Sequence, residues 1–298
     1  MDRRMKYGLT YQGSKTDLAE WVVESIPPAP VFIDLFAGGC AVAHAAAASG
    51  KWGKVVANDA TDSVMLFRDA VMGKYQNCSR WVSKEEFDLL KEVDAYARIL
   101  FSFGCNGQDY MYSRDIEPYK KAMHEAVFAE GDAERRLKVG QMARELAAYF
   151  KKTGRLGGEE NLLRVEICQH LQRLDRLKEL RGAADLDKME FSVRDYREVD
   201  IPEGAVVYAD PPYQDMKGYG REFDHGGFFD WCRNQKAPVF VSECRMPGDF
   251  RLLKETRFVR KGRQDAVSER TERLYSMRFD GKIVRKEAVQ LQLDFGRL

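Results

Sequence analysis

An apolar run that ends in an acid and two prolines constrains this chain more than any other segment. Residues 205–208 have the continuous apolar pattern of a buried strand, and Asp210-Pro211-Pro212-Tyr213 follows them. Each proline fixes its backbone and lacks an N–H donor, so neighbouring carbonyl groups stay available as acceptors. A carboxylate, free carbonyls and an aromatic face together can hold a planar base by its exocyclic amino group. The alternative is a rigid turn in which Asp210 caps a helix.

Composition describes a globular protein and argues against several other classes. The 298 residues are 44% hydrophobic and 32% charged, and no apolar run has the length of a membrane span. The first residues lack the apolar segment of a signal peptide. The six cysteines are scattered without a Cys-x-x-Cys pair, so we expect neither a zinc site nor a disulfide framework. We therefore expect a cytoplasmic protein that uses no metal and does not contact a membrane.

Charge is nearly balanced over the whole chain but not near its C-terminal end. The formal net charge is +1, whereas residues 245–286 hold 13 Lys and Arg against 6 Asp and Glu, an excess of 7. Such a segment can face nucleic-acid phosphates. It can equally be a solvated hairpin of mixed charge, and charge alone does not separate the two interpretations.

Strand and helix patterns alternate at both ends of the chain, which is typical of a parallel α/β sheet. The first segments are a helix over 16–26, a strand over 31–35, a helix over 40–48, a strand over 54–57 and a helix over 63–74. Strand patterns return at 189–193, 206–208 and 239–242, and a hairpin is expected from 256–259 and 273–279. The sequence thus predicts an α/β fold.

The middle of the chain is mostly helical and charged. Helices are expected over 120–129, 133–152 and 160–180, and residues 102–112 form a loop rich in glycine and aromatic residues. We therefore predict a catalytic domain built from 1–76 and 182–298, with a helical domain inserted at 77–181. The loop is a candidate for contacts with a macromolecular substrate, or it is a buried aromatic turn.

Acids and glycines follow the predicted strands in a pattern typical of a nucleoside site. Asp34 ends the first strand and precedes a turn at Gly38 and Gly39, which lets a ligand approach the backbone. Asp59 ends the next strand about 20 residues later, where an acid can hold both ribose hydroxyls, although it can also cap a helix. Lys15 can reach a ligand carboxylate, or this element can simply begin the next helix with Ser14 as its cap. S-adenosylmethionine carries the ammonium, carboxylate, ribose and adenine that such a site would bind.

The order of these motifs resembles the Dam-like class of adenine-specific DNA methyltransferases. The Tyr11-Gln12-Gly13-Ser14-Lys15 element, Asp34-Leu35-Phe36-Ala37-Gly38-Gly39, Asn58-Asp59, the helical insertion and Asp210-Pro211-Pro212-Tyr213 occur in that order. Two positions differ from many relatives, which often carry Glu in place of Asp34 and Gly or Ser in place of Cys40. The resemblance implies a Rossmann-like methyltransferase sheet with helices on both faces and an inserted target-recognition domain.

The resemblance also implies a function and a set of site residues. The expected activity is transfer of a methyl group from S-adenosylmethionine to the amino group of a flipped adenine, with S-adenosylhomocysteine as product and no metal. The expected catalytic residues are Asp210, Pro211, Pro212 and Tyr213. The expected cofactor-binding residues are Tyr11, Gln12, Lys15, Asp34, Phe36, Ala37, Gly38, Gly39, Asp59, Asp195, Tyr196 and Asp210. Residue chemistry, rather than the resemblance, supplies the expected DNA-binding residues from the 102–112 loop and the basic C-terminal segment. They are Asn106, Gln108, Tyr110, Tyr112, Arg260, Lys261 and Arg263.

Double-stranded DNA is the expected partner, and a monomer or weak dimer the expected state. A companion restriction endonuclease is left open, as is a modification role in a phage-infected cell. Two other functions stay open from the sequence. One is a cytosine-N4 methyltransferase, although such enzymes more often carry Ser in place of Asp210. The other is an inactive DNA-binding protein that retains a methylase fold.

Overall fold

A seven-stranded sheet lies at the centre of the part of the chain that the structure describes. The computed structural model describes residues 7–129, 131–153, 168–213, 223–261 and 267–279. In chain order the strands are β1 (Val31–Asp34), β2 (Lys54–Asp59), β3 (Met189–Val193), β4 (Ala205–Ala209), β5 (Val239–Ser242), β6 (Arg251–Lys261) and β7 (Val267–Met277). Their order across the sheet is β3-β2-β1-β4-β5-β7-β6.

The first five strands run parallel, whereas β7 runs antiparallel to both β5 and β6. The order of the parallel strands is that of a doubly wound nucleotide-binding sheet, with the switch point between β1 and β4. A ligand crevice in such a sheet lies beyond the carboxyl ends of the strands at that point. The predicted α/β, Rossmann-like sheet is confirmed.

Helices surround the sheet and fill the interval between β2 and β3. They are α1 (Ala19–Ser25), α2 (Ala41–Ser49), α3 (Ser63–Val71), α4 (Lys84–Leu90), α5 (Ala95–Leu100), α6 (Glu117–Phe128), α7 (Asp132–Thr153), α8 (Gln169–Glu179) and α9 (His225–Asn234). Short 3₁₀ turns lie at Phe103–Cys105, Leu186–Lys188 and Tyr196–Glu198.

Strand periodicity divides the hydrophobic core into two layers. Phe32 and Tyr208 belong to one buried cluster, whereas their neighbours Ile33 and Val207 belong to the other. Successive side chains of a strand point to opposite faces of the sheet, and all five residues of β4 are buried. Continuous apolar strands are required here because helices cover both faces of the parallel sheet.

Some predicted elements differ from the structure in their extent. α9 has no counterpart among the predictions, because Gly226 and Gly227 in its first turn break the helical pattern. Both strands of the predicted hairpin are longer than expected, since β6 and β7 pair as far as Lys261 and Val267. The helix predicted over 160–180 is observed from Gln169, and its first residues lie outside the described ranges.

The helices between β2 and β3 share the main hydrophobic cluster with the sheet. Phe87 of α4, Leu100 of α5 and Leu174 of α8 belong to the same cluster as Phe67 of α3. The core is therefore continuous across the boundary at residue 76, and the division into a catalytic and an inserted domain stays a prediction. In the described ranges, no helix combines the length and the apolar character needed to cross a bilayer.

Candidate active site

Sheet topology brings three acids to one edge. Asp34 is the last residue of β1 and is paired with Tyr208 of β4, so Asp210 follows two residues beyond that pair. Asp34 is also paired with Ala57 of β2, two residues before Asp59. Because parallel strands end at the same edge, the side chains of residues 34, 59 and 210 surround one crevice at the switch point.

The glycine turn after β1 packs against the segment that precedes α1. Gly8 has a φ of +70°, and a Cβ there would lie 2.5 Å from the oxygen of Gly39 and 2.7 Å from the nitrogen of Ala41. Leu9 N donates to the same Gly39 oxygen at 2.7 Å. A Cβ on Gly38, whose φ is +49°, would lie 3.0 Å from the ring of Tyr11. Glycine is needed at position 8 because two backbone segments touch there, and it is favoured at position 38 by the positive φ and the nearby Tyr11 ring.

Cys40 occupies the position where α2 begins. Its φ is 61°, in the left-handed region, and its N–H donates to the oxygen of Ala37 at 2.6 Å. Glycine adopts this conformation without strain, so a glycine would fit this position at least as well. The cysteine side chain is fully buried.

Asp34 is a buried acid with one uncommitted oxygen. Its Oδ2 accepts a hydrogen bond from Ala43 N at 3.1 Å, whereas Oδ1 has no hydrogen-bond partner among the described residues. The residue is 1% exposed and lines the crevice. Burial, followed by the charges of Asp210 and Asp59, raises the pKa of Asp34 well above its ordinary value.

Asp59 is held in place by the turn residues around it. Its Oδ2 accepts from Gly38 N at 2.8 Å, and its Oδ1 accepts from the nitrogen and hydroxyl of Thr61 at 2.8 and 2.7 Å. A carboxylate offers about four acceptor positions, so one more donor can bind without displacing a protein group. Burial raises the pKa of Asp59.

Asp210 belongs to a compact cluster of charged and phenolic groups. Lys15 Nζ lies 2.8 Å from Asp210 Oδ1, 2.8 Å from the hydroxyl of Tyr213 and 3.5 Å from Glu272 Oε1. The Tyr213 hydroxyl donates to Glu272 Oε1 at 2.8 Å. Burial raises the pKa of Asp210 to about 6, an increase that Lys15 limits and Glu272 enlarges.

The electrostatics of this crevice favour a cationic ligand. Three carboxyl groups face it, a buried one at Asp34 and partly buried ones at Asp59 and Asp210, and desolvation raises the pKa of each. Desolvated carboxylates at close range destabilise one another. A ligand that carries positive charge would therefore be stabilised near Asp34, whose Oδ1 has no hydrogen-bond partner among the described residues.

Aromatic side chains form the wall of the crevice beyond β3. The ring of Phe36 lies 5.4 Å from that of Tyr196 and 5.7 Å from that of Phe223. Asp195 caps the turn that carries Tyr196 and forms an ion pair with Arg197 at 2.7 Å. A planar ring would fit beside such aromatic faces.

All predicted cofactor-binding and catalytic residues line one cavity of about 1790 Å³. It extends from Gln12 and Ala37 past Asp195 to Pro211 and Pro212. The structure thus brings these residues together, while the role of each one stays a prediction.

The predicted DNA-binding residues are distributed over three places. Asn106 and Gln108 line the cavity, although Asn106 Oδ1 accepts from Gln108 N and Asp109 N at 2.9 and 3.1 Å. Tyr110 and Tyr112 turn away from the cavity into the helical region, and their hydroxyls lie 2.9 Å from Val82 O and 2.7 Å from His170 Nδ1.

The remaining predicted DNA contacts belong to the basic C-terminal segment. Arg260 and Lys261 lie on β6, and Arg263 lies outside the described residues. Contact of these residues with DNA stays a prediction.

Sequence reasoning missed two residues that shape this site. Gly8 has no local signal, because its need for glycine comes from contact with residues 39 and 41. Glu272 did have a signal. Like Leu274 and Ser276, it takes a buried position in the alternating pattern of β7. An acid is unexpected at such a position.

Comparison with known proteins identifies a family, and 26 chains of solved structures match this chain. No curated protein matches the chain. Among solved structures, the rRNA methyltransferase aviRa from Streptomyces viridochromogenes is 12% identical, with 84% of this chain and 77% of that chain covered and a TM-score of 0.29. That score is too low to bear on fold or activity.

The family match covers most of the chain. The model of the D12 class N6 adenine-specific DNA methyltransferases matches residues 11–225, from the Tyr11 element through the glycine turn and Asp59 to the Asp210-Pro211-Pro212-Tyr213 motif. The chain therefore belongs to the D12 class of N6 adenine-specific DNA methyltransferases.

Proposed function

We propose that this protein is a site-specific DNA methyltransferase that uses S-adenosylmethionine and acts on an adenine turned out of the duplex. The observation that carries the proposal is the convergence of Asp34, Asp59 and Asp210 around one cavity at the switch point of the sheet. A base inside a duplex cannot reach a cavity of this kind, so the target nucleotide must be flipped at a cost of a few kcal/mol.

The residues around the cavity fit this cofactor. Asp34 Oδ1 would accept from an ammonium group, Asp59 from a ribose hydroxyl, and Phe36 with Tyr196 would contact a purine ring. The glycine turn at Gly38 leaves space beside the backbone. S-adenosylmethionine, when bound, supplies an electrophilic methyl group on a sulfonium.

Asp210 and its neighbours would prepare the target nitrogen for attack. The lone pair of the adenine amino group is delocalised into the ring, which makes this nitrogen a poor nucleophile. Asp210 and the carbonyl oxygen of Pro211 would accept the two amino hydrogens, and the ring of Tyr213 would stack on the base. Positioning and electrostatics of this kind contribute most of the rate enhancement.

The ionised form of Asp210 is required for this role. Its pKa is raised to about 6, so activity should be lost as the pH falls through that value. In the structure, Lys15 Nζ contacts Asp210 Oδ1 at 2.8 Å. The amino group of the target base must therefore either share Asp210 with this ammonium or take its place.

DNA contacts are proposed for the loop that holds Asn106 and Gln108 and for the basic residues of β6. Neutralising phosphates with Lys and Arg makes binding depend on salt. We also propose a cytoplasmic location and a monomer or weak dimer as the active form, and the role of a companion restriction endonuclease stays open.

Substitution of Asp210 tests the proposed function. We expect Asp210→Ala to lower methyl transfer by roughly a hundredfold or more, the scale for loss of one key electrostatic group, while S-adenosylmethionine still binds by calorimetry. Asp230→Ala is the matched control, because Asp230 lies on α9 with a side chain 72% exposed.

Mass spectrometry of nucleosides from treated, unmethylated genomic DNA identifies the product. N6-methyladenine is expected with the wild type and the control. N4-methylcytosine would favour the cytosine alternative, and cofactor binding without any product would favour the inactive DNA-binding protein. Full activity of Asp210→Ala would refute the mechanism.

A further inference from the structure

Glu272 is a buried acid that the family match does not reach. It lies on β7, beyond the matched residues 11–225, and is 5% exposed. β7 pairs with β5 on one side and β6 on the other. The C-terminal hairpin thereby contributes one inward-facing carboxylate to the cavity, which Glu272 lines together with Asp210.

The contacts of Glu272 are with residues of the proposed mechanism. Its Oε1 accepts from the Tyr213 hydroxyl at 2.8 Å and lies 3.5 Å from Lys15 Nζ. Lys15 Nζ in turn lies 2.8 Å from both the Tyr213 hydroxyl and Asp210 Oδ1. The Lys15 ammonium thus lies between the carboxylates of Asp210 and Glu272, and the Tyr213 hydroxyl is hydrogen-bonded to Glu272.

This geometry has a consequence for the arrival of a target base. If the amino group of adenine takes the position of the ammonium on Asp210, Lys15 keeps its contact with the Tyr213 hydroxyl and exchanges the carboxylate of Asp210 for that of Glu272. In a partly desolvated site an ammonium group is stabilised by a neighbouring carboxylate. Glu272 is already within 3.5 Å of Lys15, so a small rotation of the lysine side chain is enough to complete the exchange.

We propose that Glu272 is a positioning residue of the methyl-transfer site. It fixes the orientation of the Tyr213 ring through its hydroxyl, and it accepts the Lys15 ammonium when the target amino group binds Asp210. The proposal rests on the proposed function, since it assigns Glu272 a role through Asp210 and Tyr213. No bond is made or broken at Glu272.

The charges around Asp210 supply a signature that a purely structural role lacks. Asp210 is faced by Lys15 from the segment before α1, by Glu272 from β7, by Tyr208 from β4 and by Asp34 from β1. Glu272 raises the pKa of Asp210, whereas Lys15 lowers it. Removing the charge of Glu272 should therefore make Asp210 easier to ionise.

The experiment compares pH profiles of single-turnover methyl transfer on unmethylated genomic DNA. At pH 5, a group with a pKa of about 6 is roughly one-tenth ionised, so the wild type should keep about a tenth of its plateau rate. At pH 5, Glu272→Gln should retain a fraction of its own plateau rate at least about twice the fraction that the wild type retains. Its plateau rate should be lower than that of the wild type, because Lys15 has lost its second carboxylate.

Three variants complete the design. Glu255→Gln is the matched control, since Glu255 lies on the neighbouring strand β6, 3.1 Å from Arg273 and half exposed. Tyr213→Phe removes the hydroxyl but keeps the ring, and its effect should be non-additive with Glu272→Gln because the two groups share one hydrogen bond. Asp210→Asn identifies the Asp210 signal in ¹³C-aspartate spectra, so its titration can be followed without DNA.

The outcomes separate the two proposals. The positioning role is supported if, in Glu272→Gln, both the Asp210 titration and the acid side of the pH–rate profile move to lower pH. Glu255→Gln should leave both unchanged. An acid limb at the wild-type position overturns it, whether the rate of Glu272→Gln is normal or reduced. If Asp210→Ala retains full activity, the proposed mechanism at Asp210 is refuted. The Asp210 titration, measured without DNA, then still shows whether Glu272 acts on that carboxyl group.

Discussion

Gly8 shows how a single residue can control a ligand site that it does not line. Its N–H donates to Nδ1 of His44 at 3.1 Å, and its oxygen accepts from Nε of Arg176 at 3.0 Å. These contacts tie the backbone of Gly8 to α2 and α8, beside the glycine turn at Gly39. The positive φ of Gly8 and its close approach to that turn leave no space for a side chain.

We expect Gly8→Ala to weaken cofactor binding more than it weakens the fold. The new Cβ would overlap with the oxygen of Gly39 at 2.5 Å, and the turn must shift, which displaces Gly38 N from Asp59. Calorimetry with S-adenosylmethionine should show at least a tenfold loss of affinity, about 1.4 kcal/mol. Gly50→Ala is the control, because Gly50 also has a positive φ but no atom within 4 Å of its Cβ position. Equal losses in both variants would contradict the explanation.

At the scale of elements, α8 holds the end of α5 through one buried arginine. Arg173 Nη1 lies 3.0, 2.7 and 2.8 Å from the carbonyl oxygens of Ile99, Leu100 and Ser102. The last carbonyls of a helix have no partner within the helix. Arg173 supplies those donors and joins α5, α8 and the loop that begins at Ser102.

Arg173→Met should destabilise the protein by about 3 kcal/mol, because several buried carbonyl groups lose a charged donor. Urea unfolding measures this change. Gln172→Met is the matched control, since Gln172 is the exposed neighbour on α8 and its substitution should change stability by less than about 0.5 kcal/mol. A similar small effect for Arg173 would show that water satisfies these carbonyl groups instead.

At the scale of the whole molecule, two buried histidines connect distant parts of the helical region. His124 Nε2 donates to Ser79 O at 2.8 Å, His170 Nε2 donates to His124 Nδ1 at 2.9 Å, and the Tyr112 hydroxyl donates to His170 Nδ1 at 2.7 Å. This assignment follows from the hydrogen-bond network, and it requires both rings to be neutral.

The neutral pair makes stability depend on pH. Burial, together with repulsion from His124 if both rings were protonated, lowers the pKa of His170 to about 2, and burial lowers the pKa of His124. The unfolded chain binds a proton at each histidine near pH 6.5 while the folded chain does not, so stability is lost as the pH falls below 6.5. The raised pKa of Asp210 acts in the opposite direction. As the pH falls, the folded state binds a proton at Asp210 at a higher pH than the unfolded state does, which increases stability.

His170→Gln isolates one of these contributions. We expect it to be less stable than the wild type at pH 7.5 by about 1–3 kcal/mol, since it breaks a buried network. At pH 5.5 the difference should narrow by about 1.4 kcal/mol, the linkage for one group one unit below its unfolded pKa. The acids are common to both proteins and cancel in the comparison. A difference that stays constant or grows toward pH 5.5 would show that His170 is not neutral in the folded protein.

The acids at the strand ends were predictable because their neighbourhood follows from a local rule. Asp34, Asp59 and Asp210 each terminate or follow an apolar run, and parallel strands place such residues at one edge of the sheet. The rule needs only the strand pattern and the direction of the strands. The α/β fold and the residues around its crevice were therefore accessible before the structure.

The amino-acid sequence by itself determined the strands, the acids at their ends and the motif order that relates this chain to its family. Only the tertiary structure decided which groups share a charge or a contact across long intervals. Glu272 meets Tyr213 from 59 residues away, and Gly8 is restricted by Gly39 and Ala41. The physical reason is that backbone periodicity is local, whereas close approach and desolvation depend on which distant segments the fold packs together.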